Sequence, residues 1–418
     1  MNASPASTLV ELGQRAKAAS RLLARSSAAV RNEAIARAAD FLEQETDRIL
    51  TANAEDVARF EATGAEASTV DRLRLDPARV AGMAQGLRQV AGLADPVGEI
   101  VEGWVRPNGL RIQRVRVPLG VIGIIYENRP NVTSDAAGLC LKSGNAVLLR
   151  GSSSAIGTNT VIAGLLGLGL EKAGLPEDAV GLVTDTSHES AVGFMRLDGM
   201  IDCLIPRGGP ALLASIKEHA TVPYVLDGSG NCHVYVDAAA DLSMARAIVR
   251  NAKTHRPGVC NAAETLLVHR EVAPAFLPDL GSVLPEVELV GDAATRELLP
   301  SAGAATEEDF ATEFLNLKMA VAVVDDLDGA IDHITRFGSG HSEAIITRDL
   351  ATATRFTTEV DAAAVLVNAS TRFVDGEEFG LGAEIGISTQ KLHARGPMGI
   401  RELTCLKYIV HGEGQVRS

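Results

Sequence analysis

The chain has 418 residues, of which 46% are hydrophobic and 22% charged, and its formal net charge is −14. This length exceeds what one hydrophobic core usually serves, so we expect two or three domains of an ordinary globular protein. The acidic balance argues against nucleic-acid and membrane-surface roles, which need a basic face, but it permits a local basic pocket. We therefore expect a small-molecule substrate, with neither nucleic acid nor membrane as a partner.

Five cysteines are widely spaced along the chain: Cys140, Cys203, Cys232, Cys260 and Cys405. An odd number without a CxxC pair indicates neither a disulfide framework nor a zinc site, and it fits a reducing compartment. The N-terminus lacks the apolar run of about 7 to 15 residues that marks a signal peptide, and we expect no apolar stretch of about 18 residues anywhere. The sequence thus predicts a cytoplasmic protein without a bound metal.

The N-terminal quarter reads as helices and is followed by a hairpin. Apolar residues recur at helical spacing through residues 28–42, and residues 31–50, free of Pro and Gly, predict one long helix. Residues 102–117 alternate polar and apolar side chains about Asn108-Gly109, which is a strong hairpin signal. A two-stranded ribbon of this kind is only marginally stable by itself in water. We expect it to pair with the alternating run at residues 404–410 and to form an oligomer contact.

From residue 121 onward, short apolar strands alternate with helical patterns, with one of the strands predicted at residues 222–226. This alternation predicts an α/β fold with a doubly wound parallel sheet, whose ligands bind at the carboxyl ends of strands. Gly208-Gly209 directly precedes a helix and is the best candidate for a phosphate seat, because free N–H groups and the helix dipole face an anion there. The sequence contains neither GxGxxG nor a Walker A motif.

A second alternating block spans residues 233–367 and contains the sequence His-Arg-Pro-Gly-Val-Cys-Asn-Ala-Ala-Glu at residues 255–264. Cys260 lies there between an amphipathic helix (242–253) and an apolar strand (265–268). The neighbouring His255 and Arg256 favour the reactive thiolate, because a positive neighbourhood lowers the pKa of a thiol. The local sequence leaves two interpretations open, a nucleophile and an inert buried thiol.

Residues 307–310 and Glu313-Phe314 form an acidic segment within this second block. Charge clusters of this kind are usually solvated, so we expect a loop over the whole segment.

Several motifs occur in the order and spacing of the aldehyde dehydrogenase superfamily, which the chain resembles. They are Pro-Leu-Gly-Val-Ile-Gly at 118–123, Asn128-Arg129-Pro130, Gly144-Asn145, Cys260, Glu313-Phe314 and Phe379-Gly380. Longer motifs at residues 126–133, 255–261, 368–373 and 390–397 resemble the gamma-glutamyl phosphate reductases within that superfamily. The resemblance covers essentially the whole chain.

The resemblance implies two Rossmann-like doubly wound domains and a β-ribbon for oligomerisation. The cofactor-binding domain is then residues 1–103 and 118–231, the catalytic domain 232–375, and the ribbon 104–117 and 400–418. The implied reaction is the NADPH-dependent reduction of L-glutamyl 5-phosphate to L-glutamate 5-semialdehyde, with release of phosphate, in L-proline biosynthesis. The family likeness also implies a homo-oligomer and leaves open an association with glutamate 5-kinase.

For the chemistry, the resemblance makes Cys260 the nucleophile, which carries a thioester to the substrate. Asn128 and the backbone N–H of Cys260 are then the oxyanion donors, with Asn131 as the alternative to Asn128.

For binding, the resemblance places Arg150 and Ser152 at the adenosine ribose, where Arg suits a 2′-phosphate. Gly208 and Gly209 are candidates for cofactor phosphate, and Glu313 corresponds to the residue that holds the nicotinamide ribose. Three arginines are candidates for the two anionic ends of the substrate, with their assignment left open: Arg256, Arg372 and Arg129.

One departure from the family pattern bears on the reaction. Oxidising aldehyde dehydrogenases carry a glutamate before the catalytic cysteine that activates water to hydrolyse the thioester. The matching residues 222–230 contain no glutamate; Val225 stands at its position, and only the offset Asp227 is acidic. This favours acyl phosphate reduction, because the thioester must survive until it is reduced.

Three alternatives remain at this stage. The first is an oxidoreductase of the same fold with another acyl acceptor, such as coenzyme A. The second is a non-redox cysteine enzyme, which needs a His base paired with Cys260. The third is a non-catalytic interaction protein, against which the joint presence of Cys260, Asn128 and Glu313 speaks.

Overall fold

The computed structural model describes residues 5–417, with side chains from Thr8 onward. The chain divides into two compact units. Unit 1 comprises the residues up to Leu226, Leu381–Gly386 and the residues from Met398 onward, and unit 2 comprises Asp227–Gly380 and Ile387–Pro397. Residues 1–4 and 418, at the ends of the predicted cofactor domain and ribbon, lie outside the described residues, and the functional naming of the predicted domains stays a prediction.

Unit 1 begins with five helices: α1 (Pro5–Leu23), α2 (Ala28–Gln44), α3 (Thr46–Glu61), α4 (Ala67–Leu73) and α5 (Pro77–Gly92). The prediction of one helix over residues 31–50 is wrong, because α2 and α3 are separated at Glu45. The Thr46 hydroxyl donates to the carbonyls of Leu42 and Glu43, at 3.2 and 2.8 Å. A hydroxyl that bonds back to the preceding turn competes with the regular helical pattern.

The predicted hairpin is present, with strands β1 (Ile100–Val105) and β2 (Arg111–Pro118) paired antiparallel about Gly109. Gly109 has a φ of +88°, a conformation that glycine adopts without strain.

The central sheet of unit 1 contains four parallel strands in the order β5-β4-β3-β6. Its elements in chain order are β3 (Val121–Tyr126), α6 (Asn131–Lys142), β4 (Ala146–Arg150), α7 (Ile156–Lys172), β5 (Val180–Leu182), α8 (His188–Phe194), β6 (Cys203–Arg207) and α9 (Pro210–His219). The strand predicted at residues 222–226 does not form. Pro223 has no N–H to donate, and only an isolated bridge joins Tyr224 to Leu204.

The helical segment Ser153–Lys172, which includes α7, is long and apolar enough to cross a membrane by length and composition, with a mean hydropathy of 1.3. The expectation that no such stretch occurs is therefore wrong. Much of the segment is buried within unit 1, and a Cβ at Gly169 would lie 2.7 Å from the backbone nitrogen of Ala38. Buried core helices of globular proteins can have the same length and apolar composition, so these two properties alone do not indicate a membrane span.

Unit 2 contains a seven-stranded parallel sheet in the order β10-β9-β11-β8-β7-β12-β13. Its strands are β7 (Cys232–Val236), β8 (Ala263–His269), β9 (Glu288–Gly291), β10 (Gly303–Ala304), β11 (Lys318–Val324), β12 (Ser342–Ile346) and β13 (Ala364–Val367), with the short pair β14 (Ile387–Ser388) and β15 (Gly396–Pro397) beside them. Its helices are α10 (Leu242–Thr254), α11 (Ala273–Phe276), α12 (Leu280–Val283), α13 (Ala293–Leu298), α14 (Glu307–Ala311), α15 (Leu327–Phe337) and α16 (Leu350–Glu359).

Apolar cores cover both faces of this sheet, as expected for a parallel sheet with helices on each side. The loop predicted for the acidic segment is present at Glu313-Phe314, whereas residues 307–310 lie in the helix α14. Thr306 and Asp309 form a reciprocal capping box there, and acidic side chains in a first turn also complement the helix dipole.

The last strand, β16 (Thr404–His411), returns to unit 1 and pairs antiparallel with β2, giving a three-stranded ribbon in the order β1-β2-β16. The predicted pairing of the hairpin with the C-terminal run is confirmed. So is the predicted fold class, an α/β structure with two parallel sheets and an antiparallel ribbon. The use of the ribbon in oligomerisation stays a prediction.

Candidate active site

Six of the predicted site residues lie in unit 1 and four in unit 2. Those of unit 1 are Asn128, Asn131, Arg150, Ser152, Gly208 and Gly209; those of unit 2 are Arg256, Cys260, Glu313 and Arg372. Their functional roles stay predictions, but each unit brings its own set together.

In unit 1, the candidate residues follow the carboxyl ends of three adjacent strands. Arg150 ends β4, Asn128 follows β3, and Gly208 follows β6. In the order β5-β4-β3-β6, the chain runs outward from β3 in one direction and then restarts on its other side. This topological switch point is where open α/β sheets bind ligands.

Asn128 is oriented by two serines. Its Oδ1 accepts a hydrogen bond from the hydroxyl of Ser152 at 2.8 Å and another from that of Ser154. Because both bonds use the carbonyl oxygen, the amide NH₂ is directed elsewhere as a donor. Asn131, at the start of α6, donates its amide to Asp135 at 2.9 Å. Of the two candidate oxyanion donors, Asn128 has the better prepared amide.

Arg150 is half-buried at the end of β4. Its Nη2 donates to the carbonyls of Thr186 and Ser187, each at 3.0 Å, and its buried Nε has no hydrogen-bond partner. Burial lowers the pKa of the guanidinium, and Asp185 opposes this effect. A buried donor without a partner is costly, so this end of β4 is suited to receiving an anionic acceptor.

The predicted phosphate seat at the N-terminus of α9 carries a carboxylate of the chain itself. The N–H of Gly209 donates to both carboxylate oxygens of the exposed Glu127, each at 3.3 Å. A Cβ at Gly208 would lie 2.8 Å from this carboxylate. The position therefore does attract an anion, as the helix dipole predicts, and a phosphate there requires Glu127 to move aside.

In unit 2, Cys260 lies in the segment 255–262 between α10 and β8, as predicted. The thiol-bearing residue is half-buried, whereas His255 and Arg256 are exposed. The helix α10 ends at Thr254, shortly before Pro257-Gly258. The side-chain amide of Asn261 donates to the carbonyl of Val374 at 2.8 Å. This bond ties the cysteine segment to the chain that carries Arg372.

Two arginines lie near the cysteine: Arg256, within this segment, and Arg372, outside it. Burial is the largest cause that lowers the pKa of Arg372. The positive charge of Arg256 lowers this pKa further, and Cys260 raises it. Arg372 is thus near both a second cation and the candidate nucleophile, and its buried Nε has no hydrogen-bond partner. Two positive charges near a thiol favour its thiolate form and attract an anionic substrate.

Glu313 is half-buried and accepts a hydrogen bond from the N–H of Gly230 at 2.7 Å. Burial, followed by the nearby Asp227, raises the pKa of Glu313, while the Gly230 bond lowers it. Gly230 also packs against the cysteine, since a Cβ there would lie 1.5 Å from the carbonyl oxygen of Cys260. Only glycine fits at this close approach.

The two residues discussed for a missing water-activating base have structural roles. Val225, in unit 1, is buried, and its N–H donates to the carbonyl of Leu204 at 2.9 Å. In unit 2, an oxygen of the Asp227 carboxylate accepts a hydrogen bond from the N–H of Ile387 at 3.0 Å. Neither arrangement prepares a carboxylate to activate water.

Sequence reasoning missed four residues around these sites: Ser154, Glu127, Lys253 and Glu264. For the buried Glu264 the sequence does contain a signal, because it is an acidic residue at the start of a largely apolar strand. Its partner Lys253 lies 11 positions earlier, and their nitrogen and oxygen atoms are 2.5 Å apart.

Comparison with known proteins gives the family. The profile of the aldehyde dehydrogenase family matches residues 2–311. The chain belongs to the aldehyde dehydrogenase family. Among curated relatives, it is 56% identical over 411 residues to the gamma-glutamyl phosphate reductase of Carboxydothermus hydrogenoformans, covering 98% of this chain and 99% of that one.

A second relative and a solved structure agree with this membership. The gamma-glutamyl phosphate reductase of Moorella thermoacetica is 56% identical over 407 residues, 97% of each chain. The crystal structure of the gamma-glutamyl phosphate reductase of Thermotoga maritima is 47% identical, with a TM-score of 0.96 over 98% of this chain and 100% of that chain. This member of the aldehyde dehydrogenase family is therefore similar to reductases of that name along its whole length, as the sequence motifs predict.

Proposed function

We propose that the protein reduces L-glutamyl 5-phosphate to L-glutamate 5-semialdehyde and phosphate, using NADPH and a thioester on Cys260, in L-proline biosynthesis. The observation that carries the proposal is a half-buried cysteine beside two arginines, in a chain 56% identical to gamma-glutamyl phosphate reductases. A cytoplasmic setting is part of the proposal, since the five cysteines form no disulfide in the described part of the chain.

The residues of unit 1 fit a phosphorylated dinucleotide. Arg150 offers a buried, unpartnered Nε–H toward an acceptor, and α9 presents the N–H of Gly209, which already binds a carboxylate. In our proposal Arg150 and Ser152 hold the adenosine ribose with its 2′-phosphate, Gly208 and Gly209 hold phosphate, and Glu313 of unit 2 holds the nicotinamide ribose. When bound, the nicotinamide supplies the hydride.

Cys260 performs the covalent chemistry. Its thiolate attacks the acyl carbon, a carbon–sulfur bond forms, and the bond to the phosphate oxygen breaks, so phosphate leaves with the electron pair. After reduction of the thioester, the tetrahedral thiohemiacetal collapses to the aldehyde and returns the thiolate. Arg256 and Arg372 attract the phosphate and carboxylate groups of the substrate, since guanidinium groups bind such anions through two parallel hydrogen bonds.

The oxyanion of each tetrahedral stage needs donors that are already oriented. Asn128 meets this requirement within unit 1. The hydroxyls of Ser152 and Ser154 donate to its side-chain oxygen, which orients its NH₂ group as a donor. We assign the second donor to the backbone N–H of Cys260. We also propose a homo-oligomer built through the ribbon, and leave association with glutamate 5-kinase as a separate question for binding experiments.

The test is the reverse reaction with a series of acyl acceptors. The purified protein is mixed with the semialdehyde and NADP, and NADPH absorbance is followed with phosphate, arsenate, coenzyme A or no acceptor. Phosphate and arsenate should support turnover, because both anions attack the same thioester. Turnover with coenzyme A alone would support the acylating alternative, and a protein that binds no nicotinamide cofactor would support a non-redox cysteine enzyme.

A further inference from the structure

A buried ion pair closes the base of the segment that carries Cys260. Lys253 is at the end of α10 and Glu264 is at the start of β8, and the side chains of both are fully buried. The ammonium nitrogen is 2.5 Å from Oε2 of the carboxylate. The pair therefore joins the two ends of the intervening segment 255–262 at one point.

The second carboxylate oxygen of Glu264 reaches another segment. Its Oε1 accepts a hydrogen bond from the backbone N–H of Leu315 at 3.1 Å. Leu315 has a φ of +55°, a left-handed conformation that is uncommon for a residue with a branched side chain. Such a conformation persists when its surroundings hold it in place, and the Glu264 bond is one such restraint.

Leu315 connects this restraint to the proposed cofactor-binding residue. Glu313 precedes it by two positions and accepts from Gly230, which lies directly against the carbonyl of Cys260. On the other side, the carbonyl oxygen of Leu315 would lie 3.6 Å from a Cβ at Gly258, next to the cysteine. The Glu313 segment thus approaches the cysteine segment directly at Gly258 and is also joined to it through Gly230, which contacts both.

We propose that Lys253 and Glu264 are positioning residues, which hold the Glu313 segment in register with the Cys260 segment through the Leu315 N–H. Stability alone does not account for the pair, because apolar residues of similar volume usually replace a buried ion pair without loss. An apolar side chain in place of Glu264 cannot accept the hydrogen bond from the Leu315 N–H. The predicted effect on cofactor rests on the proposed function, whereas the effect on Leu315 does not.

Two double variants separate the acceptor from the charge. Lys253→Met with Glu264→Gln removes both charges but keeps an oxygen for Leu315, whereas Lys253→Met with Glu264→Leu removes the oxygen as well. Single variants are avoided because they leave one uncompensated buried charge. The matched control is Arg336→Met with Glu307→Gln, which removes an exposed ion pair of the same unit.

The first measurement is amide hydrogen exchange at Leu315, which needs no activity. In the wild-type protein this amide should be protected. Exchange should quicken at least tenfold in the Leu-containing double variant and stay within threefold of wild type in the Gln-containing variant and in the control. An unprotected Leu315 amide in wild type, or equal exchange in the two double variants, overturns the proposal even if a variant folds poorly.

The second measurement is steady-state kinetics in both directions. The Leu-containing variant should raise the KM for NADPH at least fivefold relative to the Gln-containing variant, with a smaller change in kcat and no difference in Tm. Equal KM values for the two double variants, with a common fall in Tm, would mean that the pair only stabilises the fold. If wild type has no reductase activity, the proposed function fails, and the exchange measurement still decides the positioning role.

Discussion

The two sets of candidate site residues, one in each unit, differ in how firmly the chain holds them. In unit 1, Glu127 is exposed and its bonds to Gly209 are long, at 3.3 Å, and Arg150 donates to two main-chain carbonyls. In unit 2, the restraints are shorter: 2.5 Å between the fully buried Lys253 and Glu264, and 2.7 Å between Gly230 and the half-buried Glu313. Long, exposed bonds are easily exchanged for bonds to a ligand, whereas buried charge-assisted bonds are not.

This difference matches a division of labour. A group that binds and releases a cofactor in every cycle benefits from partners that a ligand can displace. A nucleophile that must meet its acyl carbon within a few tenths of an ångström benefits from a rigid frame. We therefore expect substitution of Arg150 in unit 1 to change cofactor affinity and substitution of Cys260 in unit 2 to change the chemistry, and the following experiments test that separation.

The largest effect is expected for Cys260→Ser. Loss of the thiolate should abolish turnover, since the hydroxyl of serine is a far weaker nucleophile at neutral pH, yet NADPH should bind within a few-fold of wild type. Calorimetric titration and the reverse assay measure the two properties. Cys405→Ser, an exposed cysteine of the ribbon, is the control and should keep its turnover. Appreciable activity of Cys260→Ser would assign the nucleophile to another group.

A smaller effect, on cofactor affinity and not on the nucleophile, is expected for Arg150→Leu. It should weaken NADPH binding by about 1.5–3 kcal/mol, the scale of a charge-assisted hydrogen bond, and leave NADH binding nearly unchanged. The rate at which iodoacetamide alkylates Cys260 should not change. Arg196→Leu is the control, because the exposed Arg196 likewise donates to a main-chain carbonyl of unit 1, that of His219. Equal losses for both cofactors would remove Arg150 from the 2′-phosphate.

The smallest effect concerns the stability of unit 2 at acidic pH. His341 is fully buried, its Nδ1 is 2.7 Å from the hydroxyl of Ser342, and burial lowers its pKa to about 4. The unfolded chain then binds a proton near pH 6.5 that the folded chain does not, so stability falls as pH falls. Between pH 7 and 5.5 this residue should cost about 1 kcal/mol of unfolding free energy.

Urea unfolding at the two pH values checks this expectation. In His341→Gln the loss between pH 7 and 5.5 should be smaller than in wild type by that amount. An identical loss in both proteins would show that His341 is protonated in the folded state or titrates normally.

Features fixed by local sequence could be predicted. The hairpin follows from Asn108-Gly109 between alternating strands, and the Cys260 segment follows from a helix that Pro257 ends and a strand of apolar residues. The site residues of unit 1 could be grouped because carboxyl ends of neighbouring parallel strands meet at one edge.

Features decided by side-chain bonds could not be predicted in this way. The break at Glu45 depends on which carbonyls the Thr46 hydroxyl selects, and the capping box of α14 turns an acidic run into a helix. The Lys253–Glu264 pair depends on a helix end and a strand start meeting in three dimensions. A buried Lys reads as a surface residue in sequence, because Lys is rarely buried unless paired.

The most direct test of the central claim is the fate of the acyl group on Cys260 when no acceptor is present. The enzyme is mixed with the semialdehyde and NADP in phosphate-free buffer, and NADPH absorbance is followed. The reaction is then quenched, and the mass of the peptide that contains Cys260 is measured by mass spectrometry. We expect one burst of NADPH equal to the amount of Cys260, a stable acylated peptide, and resumed turnover when phosphate is added. Steady NADPH formation without phosphate, with no acylated Cys260, would contradict it and identify water as the acceptor.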